Sequence, residues 1–232
     1  MLEYREVIAV FIPELRESFD FKQNNPHHFL DVYGHICLSV ENVRPQWLMR
    51  LTMLLHDIGK PRMHTVDENG ISHFKKHQFE GAYMAEEILK RLRIDNASAR
   101  YIYELIWEHD NRIAATKKSV RRFMALHDYD FIMDYLEVRR ADTYAQSDYK
   151  RQEKLLELDR IAQFAMEIKE DNECVHICDL DIDGKDIIQM GFKGKDIGIA
   201  LELALNGVID EKVENKKEEL KSYIENNFKK QD

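Results

Sequence analysis

The chain has 232 residues, 44% of them hydrophobic and 33% charged, with a net charge of −9. That length can bury a sizeable core, and that balance excludes a disordered chain. The acidic surplus excludes a global basic field that would draw the protein to nucleic acid or an anionic membrane.

Scarce glycine (9) and proline (4) favour helices over a sandwich or barrel. In chain order, residues 3–19 predict an amphipathic helix that Pro13 cuts into two pieces. Asp31 is a candidate cap for a helix running to about Val43. Pro45 suits the first position of a helix over 45–56, whose apolar residues lie nearly all round and predict central burial. Gly59 and Pro61 stop it. Asp67-Glu-Asn-Gly70, between short alternating runs, is the one good hairpin signal, over 63–74. Helices follow at about 78–92, 97–109, 117–127, 129–146 and 148–170, the last two able to be one. A second section begins near 171, with a turn at 179–184, short helices at 184–190 and 195–206, and a charged helix at 211–228. The expected architecture is all-α: a helical domain over 1–170 and a helical C-terminal subdomain over 171–232.

No apolar run approaches the roughly 20 residues that span a bilayer. Charges at Glu3, Arg5 and Glu6 stand where a leader needs an apolar stretch. Three cysteines, Cys37, Cys174 and Cys178, form no disulfide framework and suit a reducing compartment. A cytoplasmic protein without a membrane partner is expected. Cys174-Val-His-Ile-Cys178 lacks zinc-knuckle spacing and a second ligand pair, so a buried structural segment is the preferred reading.

One constellation carries chemistry. His56-Asp57 closes the 45–56 helix and opens the pentad His-Asp-Ile-Gly-Lys60; His35, His77, His109-Asp110 and Asp142 stand in other helical contexts. Imidazole and carboxylate together bind divalent metals. A lone helical histidine is usually structural, but six such residues with the pentad reverse those odds. Gly59 would let the chain turn away without a Cβ clash, and Gly81, four residues after His77, would admit a close neighbour beside it. Arg139 and Arg140, before Asp142, can neutralise carboxylates or hold phosphate.

The order His35 … His56-Asp57 … His77 … His109 … Asp142 resembles the HD superfamily of metal-dependent phosphohydrolases. Gln23–His28, Asp31–His35, Leu54–Pro61, Asp67–Phe74, Thr116–Arg122 and Arg139–Thr143 are similar to the HD region of bacterial CCA-adding enzymes (tRNA nucleotidyltransferases), and Asp183–Phe192 and Gly194–Gly198 to the segment after it. Those enzymes carry a nucleotidyltransferase head with a glycine-rich turn. This sequence has no Gly-Gly pair, so CCA addition by this chain alone is not expected. Asp128/Asp130 and Asp179/Asp181/Asp183 are read as helix caps.

The resemblance implies two divalent metal ions (Fe, Mn, Ni, Zn or Mg). One would be held by His35, His56, Asp57 and Asp142, the other by Asp57 as bridge with His77 and His109, activating water for attack on phosphorus. Asp57 and Lys60 would be the catalytic residues, Lys60 stabilising charge on the phosphate. Asp110 is open between general acid, partner of His109 and cap. Lys60 and the basic stretch Lys117, Lys118, Arg121 and Arg122, beginning at Arg112, are expected to bind substrate phosphate or a nucleic-acid backbone; the alternative is a solvated helix start. The expected substrates are nucleotides, cyclic nucleotides or RNA ends, with RNA or tRNA as a further partner. The competing readings are an RNA-binding module and a partner of a separate nucleotidyltransferase.

Overall fold

The structure is a computed structural model and describes residues 1–228. The chain divides into two compact units, residues 1–112 with 133–159, and residues 113–132 with 160–232. The sequence-based division at 170 places 113–132 and 160–170 with the N-terminal part; here they group with the C-terminal residues.

The fold is all-α with one small hairpin. Helix α1 (Arg5–Phe11) ends at Ile12, and Pro13–Ser18 continues as a separate 3-10 segment, as expected for a proline that donates no N–H. Helix α2 (Val32–Glu41) begins where Asp31 accepts a hydrogen bond from the Gly34 N–H. Helix α3 (Trp47–Leu55) starts later than Pro45 predicts. Gln46 is extended, and a turn closed by Gln46 N–H to Arg44 O, with Arg44 paired to Glu137, holds Pro45 outside the helix. Trp47, expected inside, is 54% exposed at this helix start, whereas Met49, Met53 and Leu55 are fully buried.

Strands β1 (Thr65–Val66) and β2 (Ser72–His73) pair antiparallel, Thr65 opposite His73. Asp67 closes the turn by accepting from the Asn69 and Ile71 N–H groups, and Gly70 takes the left-handed φ of 77°. Helix α4 (His77–Arg91) packs against α5 (Asn96–Glu108), which also meets α3. Ile36, Leu55, Ile58, Ala85, Ile88 and Ile106 form the centre of this core, each large apolar side chain contributing about 1.5–3 kcal/mol.

Helix α6 (Lys117–Met124) is capped by the Thr116 hydroxyl, and α7 (Tyr129–Ala145) starts where Asp128 accepts from the Phe131 N–H. Helix α8 (Arg151–Glu170) is separate from α7: the break at 146–150 includes Lys150 in the left-handed region. Helices α9 (Gly184–Gln189), α10 (Asp196–Ile209) and α11 (Lys217–Asn227) close around Ile187, Ala200, Ala204, Leu220 and Ile224. Asp183 caps α9 through the Lys185 and Asp186 N–H groups, the role expected of it. Among the described residues no helix is long and apolar enough to cross a membrane.

Candidate metal centre

The first unit brings together the six side chains singled out above. His35 lies on α2; His56 and Asp57 follow α3; His77 opens α4; His109 follows α5; Asp142 lies in the last turn of α7. Four imidazoles and Asp57 are buried.

Backbone carbonyls aim the rings. The Nδ1–H of His56 donates to Met53 O (2.7 Å), that of His77 to Phe74 O (2.7 Å) and that of His109 to Ile106 O (2.6 Å). In all three the acceptor lies three residues back, at the end of a helix or just before one. His35 Nδ1 bonds Ala145 O at 3.2 Å. A carbonyl only accepts, so Nδ1 carries the proton and Nε2 is left to face inward.

The inward atoms fall into two sets around one carboxylate. Asp57 Oδ2 lies 3.1 Å from His35 Nε2 and 3.3 Å from His56 Nε2, with Asp142 Oδ1 2.9 Å from His35 Nε2. Asp57 Oδ1 lies 3.1 Å from His77 Nε2 and 3.6 Å from His109 Nε2. The two sets, His35-His56-Asp57-Asp142 and Asp57-His77-His109, each have all their ligand atoms within 4.8 Å of one another. Cys174 is buried, Cys178 exposed, and no other such group occurs among the described residues.

These residues fit divalent metal. The Nε2 atoms of His35 and His56 stand 3.4 Å apart and those of His77 and His109 3.1 Å apart, each pair with its Nδ1 protons already committed outward. Two inward nitrogens so close call for a positive charge between or on them, either a shared proton or a bound cation. The buried Asp57 Oδ2 has no hydrogen-bond donor aligned on it, although Lys60 Nζ is 2.6 Å away. Burial works against charge at His56, yet Asp57 and Asp142 outweigh it and raise the ring to about 10. The Asp57 and Asp142 carboxyls sit well below their usual range: burial opposes this, and His56 with Lys60 at Asp57, and His35 with His56 at Asp142, prevail. His109 is lowered, chiefly by burial. Without metal, a proton on His56 answers the anionic charge; a bound cation would release it.

The geometry bears out the Cβ clash expected at Gly59. Gly59 does not use a left-handed φ. Its lack of a side chain matters because a Cβ there would stand 2.4 Å from His77 O and 2.6 Å from Gly81 N. Gly81 is closely approached, as expected, with its Cβ position 3.3 Å from His56 O.

The ligand atoms open into a cavity of about 490 Å³. Lys60 lines it, buried against Asp57 and bonded to Gln23 Oε1 at 3.1 Å. Arg139 and the exposed Asp110 also line it, while Arg140 instead pairs with Asp159. Arg139 donates to the carbonyls of His109 and Asn111, fixing the end of α5. The basic stretch is divided. Arg112 lines the cavity. Lys117, Lys118, Arg121 and Arg122 lie in the second unit and are paired there: Lys117 and Arg121 with Glu173, Lys118 and Arg122 with Asp210.

Sequence reasoning missed Gln23, Gln146 and Lys154. Gln146 Nε2 donates to Asp142 Oδ2 (2.8 Å), and Lys154 Nζ donates to Gln146 Oε1 (2.6 Å). Gln146 stands four residues after Asp142 on the same helical face, a spacing that points to it; Lys154 has no such signal. His28, at the end of the Gln23–His28 stretch, lines the cavity with its ring centre 5.0 Å from that of His35.

The HD domain family model matches residues 27–168. The chain belongs to the HD family. The matched segment contains every ligand described above, and the HD superfamily comprises metal-dependent phosphohydrolases. The HD chain is also 33% identical over 129 residues to an A-adding tRNA nucleotidyltransferase of Deinococcus radiodurans, an alignment covering 53% of this chain and 30% of that protein.

Proposed function

We propose that this HD protein is a phosphohydrolase that cleaves a phosphomonoester or phosphodiester of a nucleotide, a cyclic nucleotide or an RNA end. The observation that carries the reading is the division of Asp57: each carboxylate oxygen faces its own set of imidazoles, beside a buried lysine and at the floor of an open cavity. His35, His56, Asp57 and Asp142 would hold one divalent cation, and Asp57, His77 and His109 a second. Bound metal supplies Lewis acidity toward phosphoryl oxygens and a lower pKa for water.

The chain's own groups do the rest. Lys60, 95% buried and anchored by Asp57 and Gln23, presents a fixed positive charge where a phosphoryl group gains negative charge. Gln146 holds Oδ2 of Asp142 and so leaves Oδ1 for the cation. The backbone-anchored imidazoles keep Nε2 inward and spend no rearrangement during turnover. The nucleic-acid side of the reading is supported by the partial relative, named for tRNA.

The test is phosphate release from nucleoside monophosphates, 2′,3′-cyclic nucleotides and RNA bearing a terminal phosphate, by wild type and Asp57→Ala at known metal content. Turnover of one class that Asp57→Ala abolishes is expected. Metal-loaded wild type that is silent on the whole panel, while binding tRNA equally with and without metal, would favour the RNA-binding reading.

A further inference from the structure

Two cationic walls face the cavity. Lys60 belongs to the first, with Gln23 Oε1 at 3.1 Å and the Phe74 ring at 5.7 Å. Lys154, from α8, belongs to the second and is joined to Asp142 through the Gln146 amide. Lys60 is tied to Asp57 at 2.6 Å, whereas Lys154 reaches Asp142 only through Gln146.

The second wall has cations without anions. Arg112, Arg139 and Lys154 line the cavity, and among the described residues none makes an ion pair. Asp110 and Glu157 line the same cavity and pair with none of them. Half-burial and the charges of Arg112, Arg139 and Arg151 press the Lys154 ammonium down, with Asp142 opposing. His27 adds a buried Nδ1 that has no partner. Elsewhere the chain answers such charges: Lys117, Lys118, Arg121 and Arg122 each have a carboxylate. Like charges gathered on one wall of a cavity repel until an anion arrives.

We infer that Arg112 and Lys154 form a second anion subsite, apart from Lys60, so that the substrate carries two separate phosphoryl groups. One lies over the ligand cluster and Lys60, the other against Arg112 and Lys154. The inference rests on the phosphoester reading above and narrows it to a nucleoside bisphosphate or the two terminal phosphates of a short oligonucleotide.

The probes are adenosine 3′,5′-bisphosphate and the two adenosine monophosphates. Calorimetry at low temperature reads their affinity, and phosphate release is measured separately. Wild type is expected to bind the bisphosphate about tenfold more tightly than either monophosphate, the size of one charge-assisted contact. In Lys154→Met and Arg112→Met that ratio falls below about threefold, and Lys154→Arg restores it. Equal affinity of wild type for all three ligands, or an undiminished ratio in both methionine variants of native helicity, overturns the subsite. A tenfold ratio without turnover keeps the subsite and counts against the hydrolase reading alone.

Discussion

Gly59 and Gly81 meet backbone to backbone, so the turn that carries His56 and Asp57 lies directly on the helix that carries His77. A Cβ at Gly59 would stand 2.6 Å from Gly81 N, while one at Gly81 would stand 3.5 Å from Gly59 N. The contact sets the spacing between the two halves of the ligand cluster. Gly59→Ala must push the elements apart and is expected to destabilise the protein by about 3 kcal/mol, the upper range for overpacking. Gly81→Ala meets one tight contact, 3.3 Å to His56 O, with the others ordinary, and is expected to cost less, about 1 kcal/mol. Urea unfolding of the two variants checks the order, and a smaller effect at Gly59 would refute it.

Metal should stabilise the fold by an amount that grows with the logarithm of its concentration above Kd, because it binds the folded ligand set and not the unfolded chain. Chelator treatment is expected to lower the thermal midpoint and added Mn²⁺ or Zn²⁺ to restore it. In Asp57→Ala, which removes the shared ligand, added metal should leave the midpoint where it was. Equal metal-dependent shifts in wild type and Asp57→Ala would refute a site built on Asp57.

Lys60→Met separates charge supply from metal holding. Metal content measured by elemental analysis should stay within about twofold of wild type, since Lys60 is in neither ligand set. The turnover number should fall about a hundredfold, the scale for loss of one group that stabilises transition-state charge. A rise in KM with the turnover number unchanged would place Lys60 in ground-state binding instead.

Asp210 gives a pH-dependent prediction in the second unit. Arg122, with Lys212 and Lys118, holds its carboxyl below the ordinary 3.8. A depressed folded value contributes stability above the unfolded pKa, and that contribution disappears as pH falls through the folded value. Asp210→Asn should therefore be less stable than wild type at pH 7, with the gap closing only below pH 3.8. Denaturant midpoints measured from pH 7 to pH 2.5 check the trend; a gap independent of pH would remove the ion pairs as its cause.

Much of the arrangement was legible in the sequence because its signals are local. Asp31, Pro13, Gly70 and Asp183 act within a few residues of themselves, and each appears where its chemistry predicts a cap, a break or a turn. The six histidines and aspartates could be singled out by residue type and order, and His56, His77 and His109 stand at helix ends, where a ring reaches a carbonyl three residues back. The basic stretch shows what spacing does not reveal. Nothing near Lys117–Arg122 announces Glu173 and Asp210, whose hydrogen bonds to Arg121 and Arg122 span 52 and 88 residues. Lys154 likewise acquires its place from a glutamine eight residues earlier, across a helix break.

Three of the four rings are oriented by a carbonyl of their own short segment. Their aim is thus a modular property: a helix end ending in such a histidine carries its ring direction with it, whatever scaffold surrounds it. Long-range folding has only to bring prealigned pieces to one point.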